Sequence, residues 1–256
     1  MNSVREIIEK KGNNVLNVYF TAGHPSLSNV KDIILTLQDN GVDLIELGLP
    51  YSDPLADGLA IQKSSDTALK NGMNLNILFT ILEEIKDKVH VPIILMGYFN
   101  QMLQFGEDDF LDKAKKAGVS GFILPDLPMD EYESKYKGKF EDRDLSISFL
   151  ITPLTEDERI RQADRLSSGF VYVVSQSSIT GKTGDISEKQ LEYFNKINQM
   201  GLKSPTLIGF GIHDQASFSR AAQYANGAIV GSAFIRVVDE GFNKEKVSSF
   251  IQSLRD

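Results

Sequence analysis

The chain has 256 residues, 41% of them hydrophobic, with 27 basic against 35 acidic side chains and a formal net charge of −8. That length buries a large core as one domain over residues 1–256, and dispersed basic residues on an acidic chain argue against a nucleic-acid partner. There is no cysteine, which excludes disulfides, thiolate metal sites and cysteine nucleophiles.

Residues 1–11 read as a charged amphipathic helix without the apolar core of a secretion signal. No later segment is long and apolar enough to span a membrane, so the expectation is a cytoplasmic protein with no membrane partner. Residues 15–23 form the first of eight short runs rich in β-branched and apolar side chains; the others are 43–50, 91–98, 121–127, 146–153, 170–175, 205–211 and 227–234. Most are continuous rather than alternating, the pattern of strands buried on both faces.

Helical patterns fill the intervals: 26–40 after the first run, then 61–71 and an extra one at 75–88 after the second. They continue at 107–117, 129–140, 156–167, 188–200, 215–225 and 244–255. Thr155-Glu156-Asp157-Glu158 and Ser187-Glu188-Lys189-Gln190 have the form of capping boxes, and Gly72, Gly118 and Gly201 supply stops. Eight strands alternating with helices predict a closed α/β fold, a (β/α)8 TIM barrel with extra helices.

Glu46 stands inside the second run, flanked by Ile45 and Leu47, where a carboxylate loses hydration on folding. It falls in the later half of its strand, the end where such barrels build active sites, and Asp57 lies on the loop that follows. Acid–base chemistry is one reading of Glu46; a carboxylate satisfied by a core donor is the other. Asp57-Gly58 is also an ordinary turn signal.

Glycine clusters end the last three strands: Thr180-Gly181-Lys182-Thr183-Gly184 follows the sixth, Gly209-Phe210-Gly211 closes the seventh and Gly231-Ser232 closes the eighth. The loops after strands seven and eight are the customary phosphate position, so they point to a phosphorylated substrate, although tight turns also need glycine. Gly181-Lys182-Thr183 is not a P-loop, because Gln176 stands where its first glycine belongs. The widely spaced His24, His90 and His213 lack ligand-like neighbours and are read as structural, with no metal assigned. No run contains the lysine a Schiff-base aldolase needs, which leaves carboxylates for acid–base work.

Phe20-Thr21-Ala22-Gly23-His24-Pro25, the stretch from Glu46 to Gly58, Ile61-Gln62, Asp126-Leu127-Pro128, Gly209-Phe210-Gly211-Ile212 and Gly231-Ser232-Ala233 together resemble the tryptophan synthase α-subunit family, in order from first strand to last. The resemblance implies a lyase of tryptophan biosynthesis that cleaves indole-3-glycerol phosphate to indole and glyceraldehyde 3-phosphate, without a metal or cofactor of its own. It implies Glu46 as general acid/base and Asp57 as the carboxylate that binds the indole N–H and stabilises charge there. Tyr172 matches an aromatic beside them, Tyr19, Met96 and Tyr98 match the indole pocket, and Gly181, Gly211, Gly231 and Ser232 match phosphate contacts. Thr180 matches a residue whose loop closes over the site. Leu59-Ala60 and Gln176-Ser177-Ser178-Ile179 depart from the family's usual residues, which bears on loop closure.

The family works as an αββα heterotetramer with a pyridoxal-phosphate β subunit that receives indole through a tunnel. Ser52-Asp53-Pro54 and residues 100–105 fall where partner contacts are expected. Two rivals remain: another phosphate-binding barrel of the same pathway, disfavoured by the absent strand lysine, and a silent activating barrel, disfavoured by retention of both carboxylates.

Overall fold

In the computed structural model, which describes residues 4–54, 57–175, 188–209 and 211–255, all the strands join one parallel sheet. In chain order they are β1 (Val15–Thr21), β2 (Leu44–Gly48), β3 (Ile93–Met96), β4 (Gly121–Ile123), β5 (Ser146–Ile147), β6 (Leu150–Ile151), β7 (Val171–Val174), β8 (Thr206–Gly209) and β9 (Gly227–Val230). The order across the sheet is β5-β4-β3-β2-β1-β9-β8-β7-β6. Its two end members are consecutive pieces of the fifth run: Ser146–Ile147 pairs with β4 and Leu150–Ile151 pairs with β7. One strand that changes partner midway closes the sheet, so the architecture is the eight-stranded TIM barrel.

Alternation along each strand sorts side chains into two apolar clusters. Val15 and Tyr19 of β1, Leu44 of β2, Ile94 of β3, Tyr172 of β7, Leu207 of β8 and Ile229 of β9 fill the barrel interior. Their neighbours Leu16, Val18, Ile45, Leu47, Leu95, Val173 and Ile208 face the surrounding helices. Each such side chain, once buried, contributes about 1.5–3 kcal/mol. The helix Val4–Lys11 places Val4 and Ile8 in the interior cluster and so plugs one end of the barrel.

The helical patterns are found with shifted ends, and two helices, Leu59–Lys70 and Leu75–Ile85, separate β2 from β3. Gly72, Gly118 and Gly201 all adopt positive φ, the conformation a helix stop requires. Three expectations need correction. The capping box at Thr155 does not form: Glu156 is the N-cap without a side-chain bond, and the Thr155 hydroxyl accepts from the Thr152 amide at 2.9 Å instead. The pattern at 129–140 is broken by a π-helical stretch, Tyr132–Tyr136. The run 227–234 is a strand only to Val230, and a helix, Ser232–Val238, begins two residues later. Ser187, of the second capping box, lies outside the described residues.

Candidate active site

Strand β2 aims Leu44, Glu46 and Gly48 into the barrel, with Glu46 level with Tyr19 on β1 and Ile94 on β3. Glu46 is only 1% exposed. Asn17 Nδ2 donates to its Oε2 at 3.0 Å, while Oε1 is buried without a hydrogen-bond partner. Burial pushes the Glu46 carboxyl up to about 8; the Asn17 donor opposes this and the nearby Asp57 charge adds to it.

Asp57 lies between β2 and the helix Leu59–Lys70. Its amide donates to Pro54 O at 3.1 Å and its carbonyl accepts from Gln62 Nε2 at 2.8 Å, which ties the loop to that helix. Tyr98 Oη donates to Asp57 Oδ2 at 3.3 Å. Burial raises the Asp57 carboxyl to about 6 against the lowering effect of that bond. Near neutrality Glu46 is therefore mostly protonated and Asp57 mostly ionised. Environments that separate two carboxylates in this way suit one to carry a proton and the other a charge.

Two tyrosines from opposite sides of the barrel complete the walls, and each depends on a glycine. A Cβ on Gly48 would stand 2.1 Å from Tyr19 Oη, and one on Gly209 would stand 2.2 Å from Tyr172 Oη. Both phenols are held well above their usual range, first by burial and then by the nearby carboxylates, so they stay protonated. Ser64 Oγ donates to Ile61 O at 2.8 Å, which leaves Thr21 Oγ1 as donor in the 2.6 Å contact with Ser64. Tyr19 Oη in turn lies 3.4 Å from Thr21 Oγ1.

Met96 ends β3 opposite Gly48, and Tyr98 caps the helix Phe99–Phe105, its amide donating to Gln101 Oε1 at 2.9 Å. Tyr19, Leu49, Asp57, Met96 and Tyr98 border one narrow cavity. A larger cleft of about 380 Å³ lies outside the barrel mouth, walled by Leu49, Pro50, Leu69, Met73, Leu75 and Phe105. Tyr51 joins the two: its ring stacks on Tyr98 at 4.8 Å, and its hydroxyl accepts from Asn100 Nδ2 at 3.1 Å.

Gly211 follows β8 with φ of 82° and nothing within 4 Å of where a Cβ would sit, an open backbone position. Gly231 is the N-cap of Ser232–Val238 directly after β9. Thr180 and Gly181, the departures at 176–179, the loop at 178–185, Leu55, Ala56 and Phe210 lie outside the described residues. Among the histidines, His24 is buried with Nε2 3.4 Å from Asp239 Oδ1, and His213 Nδ1 lies 2.7 Å from Gly211 O. Among the described residues no group of three or more His, Asp and Glu side chains is disposed to hold a metal ion.

Sequence reasoning singled out Glu46, Asp57 and the tyrosines but passed over Asn17 and Tyr51. Asn17 carried a signal of the same kind as Glu46, a polar residue inside an apolar run. Tyr51 carried none, because its importance comes only from what packs on it.

A TIM barrel with two unequally titrating carboxylates, Glu46 inside it and Asp57 at its mouth, and glycines after its last two strands has the form of a barrel enzyme equipped for acid–base chemistry at the C-terminal ends of its strands. Comparison with known proteins narrows the class: the family model for the tryptophan synthase alpha chain matches residues 6–254. The chain is 47% identical over 255 residues to the tryptophan synthase alpha chain of Christiangramia forsetii, covering 100% of this chain and 99% of that one. It is 48% identical over 241 residues to that of Flavobacterium johnsoniae, covering 94% and 95%. Among solved structures it is similar to a chain of Mycobacterium tuberculosis tryptophan synthase (TM-score 0.88, 29% identity, 100% and 98% covered). It is also similar to the tryptophan synthase A-subunit of Pyrococcus furiosus (TM-score 0.85, 32% identity, 95% and 98% covered). The chain belongs to the tryptophan synthase alpha chain family. Its reaction is cleavage of indole-3-glycerol phosphate, with the indole passed to a β subunit.

Proposed function

We propose that Glu46 and Asp57 perform this cleavage as a proton carrier and a fixed charge. Protonated Glu46 gives its proton to indole C3, which turns the ring into an iminium electron sink. Ionised Asp57 stabilises the positive charge that appears at the ring N–H. The bond from C3 to the side chain then breaks as the adjacent hydroxyl loses its proton to the Glu46 carboxylate just formed. An aldehyde and indole result, and the protonated acid is regenerated. The observation that carries this reading is geometric: Glu46, buried inside the barrel, keeps Oε1 without a hydrogen-bond partner, while half-buried Asp57 at the mouth is held by Tyr98 Oη.

Tyr19, Met96, Tyr98 and Tyr172 surround the indole ring in this reading. Gly211, Gly231 and Ser232 offer backbone N–H groups to the phosphate, joined by Gly181, and Thr180 belongs to the closing loop. No cofactor is needed on this chain, because the protonated indole is itself the electron sink; pyridoxal phosphate belongs to the β subunit. We assign the chain to an αββα assembly in the cytoplasm, as a single domain over residues 1–256. Partner contacts fall at Ser52-Asp53-Pro54 and residues 100–105, beside the cleft walled by Leu49, Met73 and Phe105.

The test is release of indole from indole-3-glycerol phosphate by the purified chain as pH is varied. A bell with an acid limb near 6, where Asp57 must ionise, and an alkaline limb near 8, where Glu46 loses its proton, is expected. A rate flat across both limbs would remove the pair from the mechanism.

A further inference from the structure

We infer that Asn17 is a positioning residue for the proton transfer: its amide anchors one oxygen of Glu46 and leaves the other to exchange the proton with substrate. This rests on the reading of Glu46 as the proton carrier. Asn17 occupies an inward position of β1 opposite Leu44, two residues below Tyr19 and therefore diagonal to Glu46. The interior around it is apolar, built from Val15, Leu44, Ile94, Leu207 and Ile229. Asn17 is 0% exposed. A buried amide in such a layer is costly unless a partner compensates, and the partner it has is Glu46 Oε2, at 3.0 Å.

The geometry gives the two carboxyl oxygens different work. An N–H directed at Oε2 favours that atom as the carbonyl oxygen of the protonated acid, which assigns the exchanging proton to Oε1. That oxygen is buried and has no hydrogen-bond partner. An atom in that state suits a proton in transit, because nothing in the resting site competes with the substrate for it. Asn17 Oδ1 is likewise buried without a partner, so the amide is held by its donor side alone. Asn17 thus fixes the rotation of the carboxyl, selects the active oxygen and restrains the rise in its proton affinity that burial causes.

A core amide that merely found a partner would affect folding and the titration of Glu46 but leave kcat at the pH optimum in place. The test is therefore the pH dependence of indole release by the full chain carrying Asn17→Leu, with folding checked by circular dichroism. Loss of a donor to the carboxylate is expected to move the alkaline limb up by about one pH unit. Loss of orientation is expected to lower kcat about tenfold, with KM changed less than about twofold. An unmoved limb, or kcat unchanged at the pH optimum, in a folded variant overturns the inference. If Asn17→Leu does not fold, Asn17→Ser, which is too short to reach Oε2, is read in the same way; failure of both to fold makes Asn17 a residue of the fold and also overturns it. Glu46→Gln assayed in parallel separates the two readings. If it still cleaves at a near-normal rate, the proton-carrier assignment has failed. If it is inactive while the limb or the optimal kcat of Asn17→Leu stays in place, only the role of Asn17 has failed.

Discussion

Glu46→Gln is expected to inactivate the protein and at the same time to stabilise it, by an amount that depends on pH. Its carboxyl titrates near 4.5 in the unfolded chain and at about 8 in the fold. Between those values the unfolded state has released a proton that the folded state still holds, so stability falls as pH rises from about 4.5 to about 8 and then levels off. At 1.36 kcal/mol for each unit of difference, this penalty grows by about 4 kcal/mol between about pH 5 and about pH 8.5. Glutamine keeps the shape, accepts from Asn17 Nδ2 and carries no proton to lose, so the variant escapes the penalty. Urea unfolding of both proteins at the two pH values measures it: the stability advantage of Glu46→Gln should be several kcal/mol larger at the higher pH. Indole release should fall by about 10²–10⁴, the usual contribution of a positioned acid–base group. Equal advantages at both pH values would mean that Glu46 ionises in the fold as readily as in water, and the burial argument would be refuted.

Asp57→Asn should lower kcat strongly while raising KM much less, since the charge at Asp57 acts on the transition state; a rise in KM with kcat intact would make Asp57 a simple binding group. Tyr98→Phe removes the donor to Asp57 Oδ2, which lowers the Asp57 carboxyl, so the acid limb of indole release should move up in pH while the alkaline limb stays. Saturation with a β subunit should raise the cleavage rate, because the partner contacts proposed at residues 100–105 would reach Asp57 through Asn100, Tyr51 and Tyr98. By linkage a glycerol-phosphate analogue should tighten subunit association; an unchanged rate and unchanged affinity would refute the coupling.

The sequence alone determined the alternation of buried strands with amphipathic helices and hence the barrel. Continuous apolar runs and 3.6-residue periodicity are local properties that survive without knowledge of the neighbours. It also exposed Glu46, because a carboxylate between Ile45 and Leu47 is conspicuous wherever the chain folds. Local pattern failed where two structures share one composition: 227–234 is apolar but for Gly231-Ser232, and only the backbone shows that a helix has begun by Ser232, with the Ile235 amide donating to Gly231 O at 3.0 Å. The helix Phe99–Phe105 escaped because seven residues are too few to display a period. Closure of the barrel through a strand that changes partner between Ile147 and Leu150 is likewise a matter of pairing across the sheet. The chemistry of the site follows the same division. Residue identity supplied two carboxylates, but their separation to about 8 and about 6 comes from burial together with Asn17 on one strand and Tyr98 beyond another. Those distances are set by the register of β1, β2 and β3, and register is a property of the folded sheet.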